Sequence, residues 1–173
     1  LLIFTGDSTY VTGLATLRHL KVPVFLMIIF LAAHLDVFAQ PLLQWDKRFS
    51  GPVGSDRGNS IAVDSSGNVY VTGRSIGTNT NYDYLTIKFN LNGDTLWTRR
   101  FNGLANKSDE PVIIKVDNQG NVYVTGKTER VNGSFDIATI KYDSLGSQKW
   151  LAIYNGTITT GDDLAYNIEV DKF

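Results

Sequence analysis

Asp64–Trp97, DSSGNVYVTGRSIGTNTNYDYLTIKFNLNGDTLW, returns 53 residues further on as Asp117–Trp150, DNQGNVYVTGKTERVNGSFDIATIKYDSLGSQKW, with fifteen identities over thirty-four positions and no gap. Two unrelated stretches of ordinary composition would share roughly two. The period continues outside this block. Trp45, Trp97 and Trp150 are each followed four residues later by an aromatic, Phe49, Phe101 or Tyr154, and then by Ser or Asn and a Gly. Ile61-Ala62-Val63-Asp64 recurs as Ile114-Lys115-Val116-Asp117 and, after 54 residues, as Ile168-Glu169-Val170-Asp171. The structural unit is therefore about 53 residues long, and whatever one copy folds into the next must repeat.

Each unit reads as four short strands. Asn59–Asp64 and Asn68–Ser75 flank Ser65-Ser66-Gly67, a tight turn whose glycine supplies a positive φ, so the first two strands form a hairpin. The third, Tyr82–Asn90, places Leu85, Ile87 and Phe89 on one face and Thr86 and Lys88 on the other, which predicts a sheet with unequal faces. Asn92-Gly93 then turns the chain into a fourth strand, Thr95–Asn102. Four strands in a period of this length are the mark of a β-propeller blade. The expected fold is all-β, with four-stranded antiparallel blades in an open arc of about two and a half. An outer strand is expected at 44–51, blades at 58–103 and 110–156, and the start of another at 163–173, within a partial propeller spanning 40–173. The Trp45 element stands as a fourth strand without its own first three. In a closed ring such a strand would complete the last blade.

Three motifs carry a resemblance: D-x-x-G-N-V-Y-V-T-G at Asp64–Gly73 and Asp117–Gly126, Asp-x-x-Thr-Ile-Lys at Asp83–Lys88 and Asp136–Lys141, and a closing Gly-x-x-x-Trp. Together they resemble the bacterial SBBP repeat, the seven-bladed β-propeller repeat family. The resemblance marks Asp64, Gly67, Asn68, Tyr70, Gly73, Asp83 and Trp97 as the structural repeat motif. Their counterparts are Asp117, Gly120, Asn121, Tyr123, Gly126, Asp136 and Trp150. It implies a propeller in an extracellular setting, in proteins that often carry a C-terminal sorting domain, and it implies no shared enzymatic activity.

Upstream of the repeats, Arg18 and Lys21 precede the apolar run Val22–Ala33, and Val37-Phe38-Ala39 puts small residues where a signal peptidase reads them. Residues 1–39 are expected to be an upstream segment and a removable secretory signal, with the mature chain opening at Gln40 and the product secreted or held at the outer cell surface. A bilayer-spanning helix needs about 20 apolar residues, and His34 and Asp36 interrupt this run too early. No membrane span is expected after cleavage. Both histidines, His19 and His34, lie in the removed part, and the chain has no cysteine. The repeats are thereby deprived of the usual general base near neutral pH and of thiolate and imidazole metal ligands. Sixteen basic residues against seventeen acidic give a formal charge of −1, so no field draws in nucleic acid.

Several recurring residues admit a chemical reading beside a structural one. Asp56, Asp109 and Asp163 stand eight residues before Asp64, Asp117 and Asp171. Recurring carboxylates suit calcium, but Asp64-Ser65-Ser66-Gly67 departs from the spacing of a calcium loop. The favoured reading is that each Asp caps a turn by accepting backbone N–H bonds. No cofactor is expected, calcium being the one alternative. Asp83 and Asp136 are expected to serve the loops between blades. Trp97 and Trp150 offer a sugar-stacking platform or a packed wedge between blades, and the wedge is expected. Gly120–Thr128 imitates a phosphate loop, yet five residues rather than four separate its glycines and the stretch is a strand. No catalytic, cofactor-binding or metal residue is assigned. The expected function is a non-catalytic extracellular scaffold or binding module for protein or polysaccharide, completed by the remaining blades of the same chain. The alternatives are the N-terminal part of a secreted propeller enzyme acting on glycans and a calcium-stabilised adhesion module.

Overall fold

β-Branched and aromatic residues alternating between glycine turns favour pleated, half-buried strands, and eight of them form. In the computed structural model, residues 44–51, 53–157 and 160–171 are described. The signal peptide expected over 1–39 lies outside them. The strands are β1 (Val53–Val63), β2 (Val69–Ile76), β3 (Tyr82–Phe89), β4 (Thr95–Phe101), β5 (Asp109–Val116), β6 (Val122–Glu129), β7 (Phe135–Tyr142) and β8 (Gln148–Tyr154). They make two antiparallel meanders, β1-β2-β3-β4 and β5-β6-β7-β8, one per 53-residue unit. The two sheets do not close a ring.

The Asp-x-x-Gly-Asn-x-Tyr part of the motif builds the first hairpin of each sheet. Gly67 and Gly120 adopt φ of 79° and 78°, the left-handed region in which a side chain is strained. Asp64 Oδ1 accepts from the amides of Ser66 and Asn68, and its Oδ2 from Asn68 Nδ2 and the Tyr70 hydroxyl at 2.8 and 2.9 Å. Asp117 repeats all four bonds with Gln119, Asn121 and Tyr123. Burial pushes both carboxyls up, but these hydrogen bonds outweigh it and hold them below the ordinary carboxylate value of 3.8. A group with a depressed folded pKa stabilises the fold above its unfolded pKa, and that contribution is lost as pH falls through the folded value. Asp64→Asn or Asp117→Asn is therefore expected to cost about 1 kcal/mol near neutrality, a figure kept small because solvent screens both sites. Urea titrations at pH 7 and below pH 3 check this: the gap between wild type and variant should close in acid.

The glycine that ends V-Y-V-T-G has a different cause. β1 and β5 each carry a bulge, with register breaks between Gly58 and Ser60 and between Pro111 and Ile113. Gly73 and Gly126 pair directly beside these bulges, opposite Gly58 and Pro111. There the bulged backbone closes in, and a Cβ on Gly126 would stand 2.6 Å from Pro111 Cα and 2.7 Å from the Tyr84 hydroxyl. Close backbone approach, rather than a turn, demands glycine here.

The core lies between the sheets. Tyr70, Tyr84 and Trp97 of the first sheet and Ile114, Val122, Val124, Ala138, Ile140 and Tyr142 of the second form one buried cluster. β3 consequently differs from the expectation of unequal faces. Leu85 and Ile87 are buried on one side, and Thr86 and Lys88, 1% and 7% exposed, are buried on the other. The face of β3 that carries Thr86 and Lys88 is covered by the second sheet, so these polar side chains must find partners. Thr86 meets the Thr72 hydroxyl at 3.1 Å, and Lys88 lies 5.0 Å over the Tyr70 ring and donates to Ser144 O of the second sheet at 3.2 Å. The second sheet repeats the hydroxyl pair as Thr125 with Thr139 at 2.8 Å.

Two expected strands form no ladder. Residues 44–50 and 163–171 pair with no strand among the described residues. A strand exists only where a partner strand offers a free edge in register, and neither segment meets one. A single backbone bond and side-chain contacts hold the second of them instead. Asp163 N donates to Phe135 O at 2.7 Å, and Glu169 pairs with Lys115 at 3.1 Å.

Candidate functional site

The recurring aspartates that suggested a cation are spent on the chain itself. Asp56, Asp109 and Asp163 each accept the amide of the glycine that ends a unit, Gly51, Gly103 or Gly156, at 2.6, 2.6 and 2.7 Å. Asp109 also takes the Thr128 hydroxyl at 2.5 Å. Burial pushes its carboxyl above the ordinary value, against these bonds and with help from the charge of Asp83. Asp83, fully buried, pairs with Arg100 at 3.0 Å and accepts from the Thr80 hydroxyl at 2.8 Å. Asp136 pairs with Arg130, also at 3.0 Å. Both aspartates therefore anchor the β2–β3 and β6–β7 turns from the first turns of β3 and β7.

The tryptophans key one sheet into the next. Trp97 is 8% exposed, 6.1 Å by ring centroid from both Tyr70 of its own sheet and Tyr142 of the next. Its indole N–H donates to Ser144 O at 3.2 Å, and its ring lies so close to Gly146 that a Cβ there would sit 2.9 Å from it. Trp45 does the same one unit earlier: it donates to Leu91 O at 3.1 Å, packs 5.8 Å from Phe89 and covers Gly93. Residues 44–51 thus occupy the place of a fourth strand against β3 and β4 without its ladder. Trp150 keeps the stacking on Tyr123, at 6.2 Å, yet is 41% exposed because no turn of the described residues closes over it.

The loops fall into two sets. At one end of the sheets lie the motif turns at 64–68, 90–94, 117–121 and 143–147. At the other lie the β2–β3 and β6–β7 turns, Gly77-Thr78-Asn79-Thr80-Asn81 and Arg130-Val131-Asn132-Gly133-Ser134, and the connections between units; the repeat departs from itself in these turns as it does between 90–94 and 143–147. A cleft of about 370 Å³ opens at this second end, between the 102–105 connection and the β6–β7 turn. Phe101, Leu151 and Ile153 wall it, with Leu104 and Val131 exposed at its rim and Asp136 and Arg130 at its floor.

The model of the SBBP beta-propeller repeat matches the chain at 44–79 and again at 96–129. Over these two stretches the chain is similar to the SBBP beta-propeller repeat. Among curated proteins none matches it. Each match starts at a tryptophan element and ends with the hairpin of the following sheet, so the SBBP sequence unit straddles two blades. It contains the indole and the first two strands of the next sheet, while the turn that the indole enters lies outside it.

In the first unit Asp64, Gly67, Asn68 and Tyr70 close a hairpin, Gly73 faces a bulge, Asp83 anchors the β2–β3 turn within its blade rather than a loop between blades, and Trp97 packs against the next sheet. The second unit repeats the hairpin with Asp117, Gly120, Asn121 and Tyr123, the bulge with Gly126 and the turn contact with Asp136, while Trp150 stays 41% exposed. The cleft at 101–105, 128–131, 136, 151 and 153 was not legible as a site. Its sequence signal is divergence: Thr98 and Arg100 of the first 53-residue unit become Leu151 and Ile153 of the second.

Proposed function

We propose that the chain is part of an extracellular, non-catalytic β-propeller that holds one end of its loops toward a protein or polysaccharide, with further blades of the same chain covering the Trp150 face. One observation carries this reading. The residues that repeat are consumed in hairpins, bulges and blade contacts, while the turns and connections at one end of the sheets border an apolar cleft of about 370 Å³. A scaffold keeps its frame and varies its presenting loops. The formal charge of −1 and the lack of histidine and cysteine beyond residue 39 fit a binding role better than hydrolysis.

The test is a binding screen of the chain against polysaccharides and extracellular proteins, repeated with Leu104→Asp plus Val131→Asp. These two side chains are 109% and 81% exposed, so their loss leaves the core intact. The expected result is a ligand whose affinity falls at least about tenfold in the double variant with the melting temperature unchanged. Turnover of a bound glycan, seen as new reducing or unsaturated ends, would replace this reading with the enzyme.

A further inference from the structure

Where asparagine precedes glycine, a chain can attack its own side chain, because no Cβ hinders the approach of the glycine nitrogen to the neighbouring carboxamide carbon. The sequence holds four such steps, Asn92-Gly93, Asn102-Gly103, Asn132-Gly133 and Asn155-Gly156. The fold treats them differently. Gly103 and Gly156 donate their amides to the carboxylates of Asp109 and Asp163 at 2.6 and 2.7 Å, charge-assisted bonds that tie up the attacking nitrogen. Gly93 lies under Trp45, whose ring stands 2.7 Å from where a Cβ would be. Asn132 and Gly133 are both exposed, nothing comes within 4 Å of the place of a Cβ, and the Gly133 amide meets the neutral Arg130 O at 3.0 Å across an open turn.

The Asn132 carboxamide is also set up to be attacked. Its Oδ1 accepts from the Ser134 amide at 3.2 Å and from the Ser134 hydroxyl at 2.7 Å. Two donors on one carbonyl oxygen draw electrons from Cγ and meet the negative charge that gathers there when a nucleophile adds, which is how an oxyanion hole works. The bond to the amide two residues on also folds the side chain back along the main chain, toward the Gly133 nitrogen. Ser134 is only 8% exposed, so its hydroxyl is held in place. In the first unit the sister step is Asn79-Thr80, where a β-branched residue crowds the nitrogen.

We propose that Asn132 is a self-modifying site, converted through a cyclic imide to aspartate and isoaspartate. A solvent base takes the Gly133 N–H proton and the nitrogen bonds to Asn132 Cγ, pushing the carbonyl electron pair onto Oδ1 between its Ser134 donors. The pair returns, the Cγ–Nδ2 bond breaks, and Nδ2 leaves as ammonia with a proton from water. Water then adds to either imide carbonyl and the ring C–N bond opens, giving aspartate from one side and isoaspartate from the other, with no change of oxidation state. Either product sets a carboxylate two residues from Arg130, which donates to Asn155 Oδ1 and Gly161 O. Isoaspartate also lengthens by one methylene the turn that Arg130 N closes on Ser134 O at 2.8 Å, and Val131, which lines the cleft, belongs to that turn. One lip of the cleft thus ages irreversibly, whatever the cleft binds.

The four steps fall on separate tryptic peptides, so mass spectrometry of the full chain incubated in mildly alkaline buffer follows each of them, with isoaspartyl methyltransferase labelling to mark isoaspartate. In the folded chain Asn132 should convert at least about tenfold faster than Asn92, Asn102 and Asn155. In urea this ranking should collapse, because folding restrains the other three. Ser134→Ala, which removes the hydroxyl donor and keeps the amide, should slow Asn132 about tenfold in the folded chain and leave the other steps unchanged. The wild-type comparison with and without urea stands even if that variant does not fold. Asn132 slowed by folding as much as Asn102 and Asn155, or a folded Ser134→Ala chain that converts Asn132 at the wild-type rate, would overturn the proposal.

Discussion

Trp97→Ala is expected to lower the unfolding free energy by about 3–5 kcal/mol, the cost of emptying a large buried aromatic site. Trp97 packs on both tyrosine rings at the junction and caps the glycine turn of the next sheet. Its removal also strips Ser144 O of one of its two donors, the other being Lys88. Trp150→Ala, at the same place in the repeat, should cost about 1 kcal/mol, since that ring is 41% exposed and has only Tyr123 beneath it. Urea denaturation of the two variants, side by side, measures the difference. It isolates blade-to-blade packing, because the two tryptophans share their position within the sheet and differ only in having a following turn to enter. Equal losses would mean that tryptophan stabilises its own sheet.

Gly126→Ala should cost about 3 kcal/mol, although it adds one methyl group to a strand where alanine is ordinarily tolerated. The added carbon would fall between Glu110 O, Pro111 Cα and the Tyr84 hydroxyl. Two of these are backbone and cannot swing aside. The third belongs to a tyrosine 1% exposed, whose hydroxyl donates to Ala138 O at 3.3 Å. Relief therefore requires the bulge itself to shift, and with it β5, the strand through which the second sheet meets the first. Gly58→Ala is the matched control. Nothing lies within 4 Å of its would-be Cβ, and its change in melting temperature should be small.

Both effects explain which parts of the fold the sequence displayed. Gly67 and Gly120 could be read because a turn announces itself within five residues, and Asp64 and Tyr70 because the offset of 53 repeats them. The unequal faces expected of β3 were wrong for a reason no single strand contains: Thr86 and Lys88 look outward-facing until a second sheet covers them. Bulges at Asn59 and Val112 are likewise products of pairing, and they explain Gly73 and Gly126, which in the sequence are only a recurring letter. Of the acidic residues, the capping role of Asp56, Asp109 and Asp163 was legible from register, whereas the Arg130–Asp136 ion pair was not. That pair depends on two substitutions far apart in the chain, Gly77 to Arg130 and Arg100 to Ile153, whose meaning appears only when β8 is laid beside the turn.

Each 53-residue unit folds as a four-stranded blade, and the first is keyed to the second by Trp97. Nuclear Overhauser contacts of the three indoles test this most directly. Trp97 should show contacts to the α-protons of Gly146 and the ring of Tyr142, with an indole N–H slow to exchange, while Trp45 should contact Gly93 and Phe89. Trp150 should contact Tyr123 of its own sheet and exchange fast. A Trp97 indole that exchanges as fast as that of Trp150, with contacts confined to β2–β4, would contradict the account.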